Sequence, residues 1–275
     1  MLSTSSSTLL ESMQTLIENR VAVTDDFIIV YKESGLPTVP LKGQSGRTLL
    51  SEVASFYPEV LAVKGVNEWE GGTLHRLDTP TSGLVLFART QRAFDYLYNE
   101  QKASRIEKTY RVTISKEKRS LEGFPPYPYK SPMVSSVNIE SRFRAYGPKG
   151  RAVRPVTDNK RYQEGPIYST FAKRESDDTL LCTIRKGFRH QIRCHMAWCG
   201  CQIKGDELYG ASPSSSFGLE AIAISFIDMN GERVEYTTSP RQILEFCCRG
   251  LLFYSPSVLS QLMRELSSQH LCRLL

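Results

Sequence analysis

The stretch His75-Arg76-Leu77-Asp78-Thr79-Pro80-Thr81-Ser82-Gly83 joins a carboxylate to a turn and then to an apolar run, Leu84-Val85-Leu86-Phe87-Ala88. Proline fixes φ and glycine permits positive φ, so Asp78 is read on a tight loop leading into a buried strand. Loops held by a rigid sheet often carry reactive groups. The same loop chemistry also fits an aspartate that merely caps its own backbone. The residues around it decide between the two.

Upstream, Val21 to Val30 reads as strand on either side of an Asp25-Asp26 turn, and Gly35-Leu36-Pro37 breaks it. Further back, Leu9, Leu10, Met13, Leu16 and Ile17 recur at helical spacing after a Ser/Thr cluster. Downstream, Thr90 to Ile106 is helical, with Phe94, Leu97 and Tyr98 on one face. Lys108 to Ile114 alternates as a strand, with Tyr110 and Val112 on one side and Arg111 and Thr113 on the other. Lys116 to about Gly165 is rich in Pro, Gly, Tyr and basic residues and shows little periodicity. Leu180 to Ile184 is a short strand, and Arg189 to Cys199 is a helix ending on Gly200 in the left-handed position. Gly218 to Phe226 is strand-like, and Asn230-Gly231 marks a hairpin into Arg233–Thr237. Val258, Leu259, Leu262, Met263 and Leu266 outline a C-terminal amphipathic helix.

The bulk composition sets limits. The chain has 275 residues, 40% hydrophobic and 23% charged, as an ordinary globular protein does. With 35 basic and 29 acidic residues its net charge is +6, which permits a polyanionic partner without requiring one. No apolar stretch approaches the roughly 20 residues that span a bilayer, so no membrane partner is expected. No basic, then apolar, leader precedes Met13, so no secretory signal is read there. Seven cysteines, an odd number, suit a reducing cytoplasm.

His75-Arg76-Leu77-Asp78, two variable residues and Thr81-Ser82-Gly83 resemble the signature of the RluA-type family of RNA pseudouridine synthases at all seven fixed positions. The resemblance runs from about Asp25 to about Phe226. It includes Lys108-x-Tyr110, the His190-Gln191-Ile192-Arg193-Cys194-His195 helix with Gly187 before it, Gly205-Asp206 with Leu208-Tyr209-Gly210, and the strand with Leu219, Ala221, Ile224 and Phe226. It implies an α+β catalytic domain on a mixed, mainly antiparallel central sheet flanked by helices. The expected organisation is a short helical segment at 1–20 and a catalytic domain at 21–275. No separate N-terminal RNA-binding module is expected, since only about two dozen residues precede the domain.

The resemblance also implies roles. Asp78 is the catalytic group in uridine isomerisation, in which uracil leaves C1′ through N1, turns over and rejoins through C5. Attack on the sugar, attack on the base and abstraction of a sugar proton all remain open, and each asks for an ionised carboxylate with a cationic partner. Arg193 is that partner, its planar fork suiting bidentate contact. Tyr110 lies against the uracil and handles the C5 proton. Leu219 packs beneath the site. Arg76 enters the RNA stack or holds a phosphate as the base flips out. No cofactor is required.

Arg142-Phe143-Arg144-Ala145-Tyr146-Gly147-Pro148-Lys149-Gly150-Arg151-Ala152-Val153-Arg154 carries five cations, no acid and two aromatics in what reads as a Gly/Pro loop. Arg142, Arg144 and Arg151 are therefore expected to hold RNA, cations tracking phosphates and aromatic faces stacking on bases. The chain departs from the family pattern at Gly187-Phe188-Arg189, where Gly-Arg-Thr is usual: a basic residue is retained but displaced by one position, so a phosphate contact at Phe188 itself is not expected. It departs again at Glu220, where histidine is usual.

Other chemistries fit less well. His190, Cys194, His195, Cys199 and Cys201 crowd together without a C-x2-C pair, so small buried side chains are expected there and no metal. A glycosidase needs two opposed carboxylates, and Asp206, the other motif acid, sits in a Gly-Asp turn read as structural. A noncatalytic RNA-binding protein on the same fold would be expected to lose Asp78, Tyr110 or Arg193, and all three are present. The partner is then ribosomal or transfer RNA, with a monomer as the default.

Overall fold

A computed structural model of the chain describes residues 20–40, 46–117, 119, 121–157 and 165–238. The helices expected over Leu9–Ile17 and Val258–Leu266 lie outside these residues.

The strand that follows the Asp78 loop organises the molecule. β1 (Arg20–Val23) and β2 (Phe27–Lys32) form the expected hairpin, and β2 pairs antiparallel with β3 (Ser82–Ala88). Leu84 to Ala88 is buried without interruption because the sheet is covered on both faces. Period-2 alternation divides these strands between two cores. Ile28, Val30, Val85 and Phe87 join one cluster, while Phe27, Ile29, Leu84, Leu86 and Ala88 join the other.

Each face has its helix. α1 (Leu49–Phe56) carries a capping box between Thr48 and Ser51 and turns Leu49, Leu50 and Val53 into the first cluster. α2 (Gln91–Lys102), capped by Thr90, packs Ala93, Phe94 and Leu97 on the second. The helix expected from Thr90 is thus present; α1 has no counterpart among the elements expected from sequence.

β4 (Glu107–Thr113) buries Tyr110 and Val112 on one face, as its alternation predicts. The next segment differs from expectation. The sequence pattern between Lys116 and Gly165 predicts irregular structure, yet β5 (Val137–Tyr146) and β6 (Ala152–Val156) form an antiparallel hairpin around a Gly147–Gly150 turn. Arg-Phe-Arg-Ala-Tyr does alternate polar with apolar, but the neighbouring Gly and Pro mask that pattern. β7 (Tyr168–Arg174) joins this hairpin to β8 (Thr179–Ile184), and β8 pairs with β4.

α3 (Gln191–Trp198) begins after His190, which adopts φ +56°, two residues later than expected; Gly200 follows its end at φ +74°. All eight of its residues are buried. β9 (Leu219–Ile227) and β10 (Arg233–Thr237) form the second expected hairpin.

The sheet order is β1-β2-β3-β9-β4-β8-β7-β5-β6, with β10 also on β9, and the only parallel pair among the described strands is β3 with β9. The architecture is therefore the expected α+β fold on a mixed, mainly antiparallel sheet. Gly83 makes the parallel junction possible: its φ is +117°, and a Cβ there would collide with the backbone N and O of Ala221. This close approach fixes the C-terminal end of the Asp78 loop beside the start of β9.

Candidate active site

Asp78 sits on a loop tied down at several backbone atoms. Thr81 N–H donates to Asp78 O at 3.0 Å, closing the turn. Thr38 Oγ1 accepts from Leu77 N–H at 3.1 Å and donates to Leu77 O at 2.9 Å. The fully buried Lys32 ammonium donates to Thr79 O, Leu36 O and Glu33 O, at 3.1, 2.7 and 2.9 Å. Burial lowers its pKa to about 8, against the opposing pull of Asp78. Three carbonyls and a nearby carboxylate thus stabilise one buried cation, and that cation holds the loop.

α3 brings Arg193 to Asp78. Its Nη1 donates to Asp78 Oδ2 at 2.9 Å. The bidentate contact expected for Arg193 goes elsewhere: Nε and Nη2 grip Asp206 Oδ2 and Oδ1 at 2.7 and 2.8 Å. Asp206 is 1% exposed, Arg193 7% and Asp78 25%. The deeper carboxylate takes the rigid fork, and the remaining donor is left for the more accessible one. Burial opposes the charge on Arg193, but Asp206 and then Asp78 outweigh it and hold the guanidinium protonated above its ordinary range. The rings of Tyr209 and Phe217 flank it at 5.2 and 5.4 Å.

His190 completes the surround. Its Nε2 lies 3.7 Å from Asp78 Oδ2, and its Nδ1 lies 3.1 Å from Tyr209 Oη. That hydroxyl accepts from Val153 N–H at 2.9 Å, so its own hydrogen is available to Nδ1. Burial, more than any charge, lowers the pKa of His190, with Asp78 opposing and Arg193 and Arg189 reinforcing. A neutral imidazole therefore faces the carboxylate at neutral pH.

Asp78, Arg193, His190, Tyr110, Leu219 and Arg76 line one cleft, together with Leu77, Thr81, Ile184, Phe188, Gln191 and Ile192. Tyr110 is buried; burial and then Asp78 push its phenol up, so it stays protonated at neutral pH. It offers a ring face and an O–H donor. Leu219 supplies apolar wall at the start of β9. Arg76 is at the edge, 58% exposed, with Nη1 2.6 Å from the buried Glu70 Oε1.

The remaining expected contacts lie on the β5–β6 hairpin, away from this cleft lining. Arg142 and Arg144 share one face of β5 and Phe143 takes the other. Arg142 Nε donates to Gly165 O at 3.0 Å, and Arg151 is exposed beside the turn. Arg189, the displaced basic residue, donates from Nη2 to Gly150 O and Ala152 O at 2.6 and 3.1 Å. Glu220 accepts from the Tyr31 hydroxyl at 3.0 Å. His195 is enclosed between Ser141 Oγ and Thr170 Oγ1, 2.9 and 2.8 Å away, and Cys194 is buried in an apolar cluster.

Sequence reasoning does not reach the roles of Lys32, Thr38, His190, Asp206 and Tyr209. His190, Asp206 and Tyr209 lie inside the motifs quoted above, so a signal for their importance exists. Lys32 gives only a weak one, a lone charge closing the apolar run Phe27-Ile28-Ile29-Val30-Tyr31.

The fold and the cleft define an α+β domain in which a buried arginine presents one loop aspartate to solvent. A family model described as RNA pseudouridylate synthase matches residues 26–198. The chain belongs to that family. It is 32% identical over 181 residues to an uncharacterized RNA pseudouridine synthase of Chloroflexus aurantiacus, covering 65% of this chain and 50% of that one. It is 28% identical over 189 residues to ribosomal large subunit pseudouridine synthase D of Yersinia pestis, covering 69% and 51%. The chain thus spans about half the length of these curated relatives. Among solved structures it resembles human RNA pseudouridylate synthase domain containing 4 (TM-score 0.58, 14% identity, 86% of this chain and 93% of that one). It also resembles human RNA pseudouridylate synthase domain containing 1 (TM-score 0.54, 20% identity, 84% and 95%). At such identities the likeness is one of fold.

Proposed function

We propose that this chain isomerises uridine to pseudouridine at defined positions of a structured RNA, with Asp78 as the catalytic carboxylate and no cofactor. The contact that carries this reading is Arg193 Nη1 to Asp78 Oδ2 at 2.9 Å, inside a cleft that also contains Tyr110 and Leu219. The single hydrogen bond orients the carboxylate while leaving it partly accessible. Attack on C1′, attack on the base and removal of a sugar proton all begin from a carboxylate so placed. Asp206 acts through Arg193, fixing the guanidinium so that one N–H is always directed at Asp78.

Tyr110 and Leu219 would border the flipped uracil, the tyrosine as a stacking face and O–H donor. Because its phenol is held protonated, Tyr110 is better suited to donating than to removing a proton. Arg76, at the lip, would meet the RNA strand as the base leaves its stack. The relative named for the ribosomal large subunit favours ribosomal over transfer RNA as substrate. Cys182, Cys194, Cys199 and Cys201 are free thiols, which supports action in a reducing cytoplasm. No helix of the described residues is long and apolar enough to cross a membrane.

Carbodiimide-stop sequencing of total RNA, from cells with and without the gene, tests the activity. One or a few sites should disappear, returning with wild type and not with Asp78→Asn. Turnover in the variant should drop by about 10⁴-fold, the scale for losing a group central to covalent or acid–base chemistry, with its circular dichroism unchanged. No site altered, or full rescue by Asp78→Asn, would refute the proposal.

A further inference from the structure

One aromatic cluster at the cleft is not explained by the catalytic geometry. Phe188 lines the cleft wall but remains 36% exposed. It stacks on Phe143 at 5.1 Å with an interplanar angle of 6°, and Tyr168 leans on it at 5.0 Å and 50°. Phe143 in turn rests against the enclosed His195 ring at 4.9 Å. The Lys186 ammonium lies 5.6 Å from the Tyr168 centroid. Phe188 thus presents a partly exposed aromatic ring at the cleft, backed by a second ring at near-parallel geometry.

The support is rigid. Phe188 N–H donates to Gln191 Oε1 at 3.0 Å, and Gln191 Nε2 reaches Ser169 O and Thr170 Oγ1 on β7 at 2.9 and 3.1 Å. Cations border the cluster, with the Lys186 ammonium over the Tyr168 ring. Lys186 is exposed, and Arg189 is turned to the carbonyls of Gly150 and Ala152. The ring has a fixed backbone, a fixed neighbour below and positive charge beside it. These are the features of a stacking platform for a base, with the phosphate of that nucleotide near the cations. The uracil itself belongs deeper, between Asp78 and the buried Tyr110, so Phe188 is available to a different nucleotide.

Resting on the reading of the cleft as a uridine site, we infer that Phe188, backed by Phe143 and Tyr168, is a subsite that stacks an unpaired base adjacent to the target uridine. Stacking uses a π face that every base has, so the subsite contributes affinity with little sequence preference and little salt dependence. It thereby differs from a phosphate contact, which the usual basic residue at this position would make and which salt would weaken.

The test uses two short single-stranded oligoribonucleotides with one uridine each, flanked by 2-aminopurine on the 5′ side in one and the 3′ side in the other. Wild type and Phe188→Tyr should quench one of the two probes on binding. Phe188→Leu, which keeps apolar bulk without the π face, should abolish the quenching and bind roughly tenfold more weakly, within the range expected for one base stack. The slope of log Kd against log salt should not change. Equal quenching and affinity in Phe188→Leu, or no quenching of either probe by wild type, would overturn the subsite; a flattened salt slope would make Phe188 part of an electrostatic contact instead. If Phe188→Leu fails to give the native circular dichroism spectrum, Phe188→Met carries the same comparison. RNA mapping separates this result from the catalytic reading. Sites rescued by wild type with no effect of Phe188 on quenching would remove the platform alone, whereas sites absent with wild type would remove the uridine assignment.

Discussion

The arginine inside α3 and the arginines of the neighbouring hairpin differ in energetic character. Arg193, within the helix, is 7% exposed and has its donors directed at Asp206 and Asp78. Arg142, Arg144 and Arg151, on the hairpin against which α3 packs, are half-buried or exposed, and Arg142 meets a backbone carbonyl. A buried charge is governed by geometry, because an unmatched partner left inside the protein has no water to turn to. Cations near solvent are individually weak and act as a sum, releasing counterions from a polyanion. The same residue type is thus an orienting device in one region and a contributor to a field in the other.

Removing Arg193 should have the largest effect on stability. Arg193→Met leaves Asp206 buried without its partner, and urea denaturation should show a decrease of about 3–5 kcal/mol. Adding Asp206→Leu should restore most of that stability but none of the turnover, because Asp78 still lacks its donor. Arg193→Lys keeps the charge without the fork and should fall between these variants in stability. A double variant no more stable than Arg193→Met would mean that burial of Asp206 is not what makes the arginine necessary.

Histidine sharpens the contrast within α3 itself. Two residues beyond Arg193, His195 is enclosed by two hydroxyls with no carboxylate against it among the described residues, and burial lowers its pKa to about 3. The unfolded chain would take up a proton near pH 6.5 that the folded state refuses, so stability should fall as pH drops from about 6.5 toward 3. Each such histidine contributes up to about 1.4 kcal/mol per pH unit in its window. His75 and His190, both lowered chiefly by burial, act in the same direction. His195→Gln should flatten the dependence of urea stability on pH by about one proton. An unchanged slope would show that His195 is not kept neutral.

The hairpin arginines should give the smallest effect, and one of a different kind. Replacing Arg142, Arg144 and Arg151 together by glutamine should alter folding stability by less than about 1 kcal/mol. RNA binding should weaken, and the slope of log K against log salt should decrease by up to roughly 2–3, at about 0.7–0.9 for each phosphate no longer neutralised. An unchanged slope would remove these residues from the RNA-facing surface and leave the opposite, aromatic face of β5 as the one that matters.

The legibility of the two regions differs for a physical reason. Asp78, Arg193, Tyr110 and Leu219 sit in motifs that resemble the family pattern, and that resemblance implies the convergence on one cleft that the structure shows. The strands around them are legible as well, because Ile28 to Val30, Leu84 to Ala88 and Leu219 to Phe226 announce burial through their apolar runs. The hairpin at Val137–Val156 is not, because Gly147, Pro148 and Gly150 belong to its turn and its strands mix arginine with aromatics.

By itself the sequence pointed to the family through motifs of fixed spacing, and that resemblance implied the α+β class and the pairing of Asp78 with Arg193. Tertiary structure alone decided how the arginine divides its donors: the fork to Asp206 and a single bond to Asp78. It alone placed Lys32 beneath the loop, His190 beside the carboxylate and Phe188 on Phe143. These relations arise where β2, the Asp78 loop, the β5–β6 hairpin and α3 pack together, and no periodicity or motif spacing encodes which atoms such packing brings within reach.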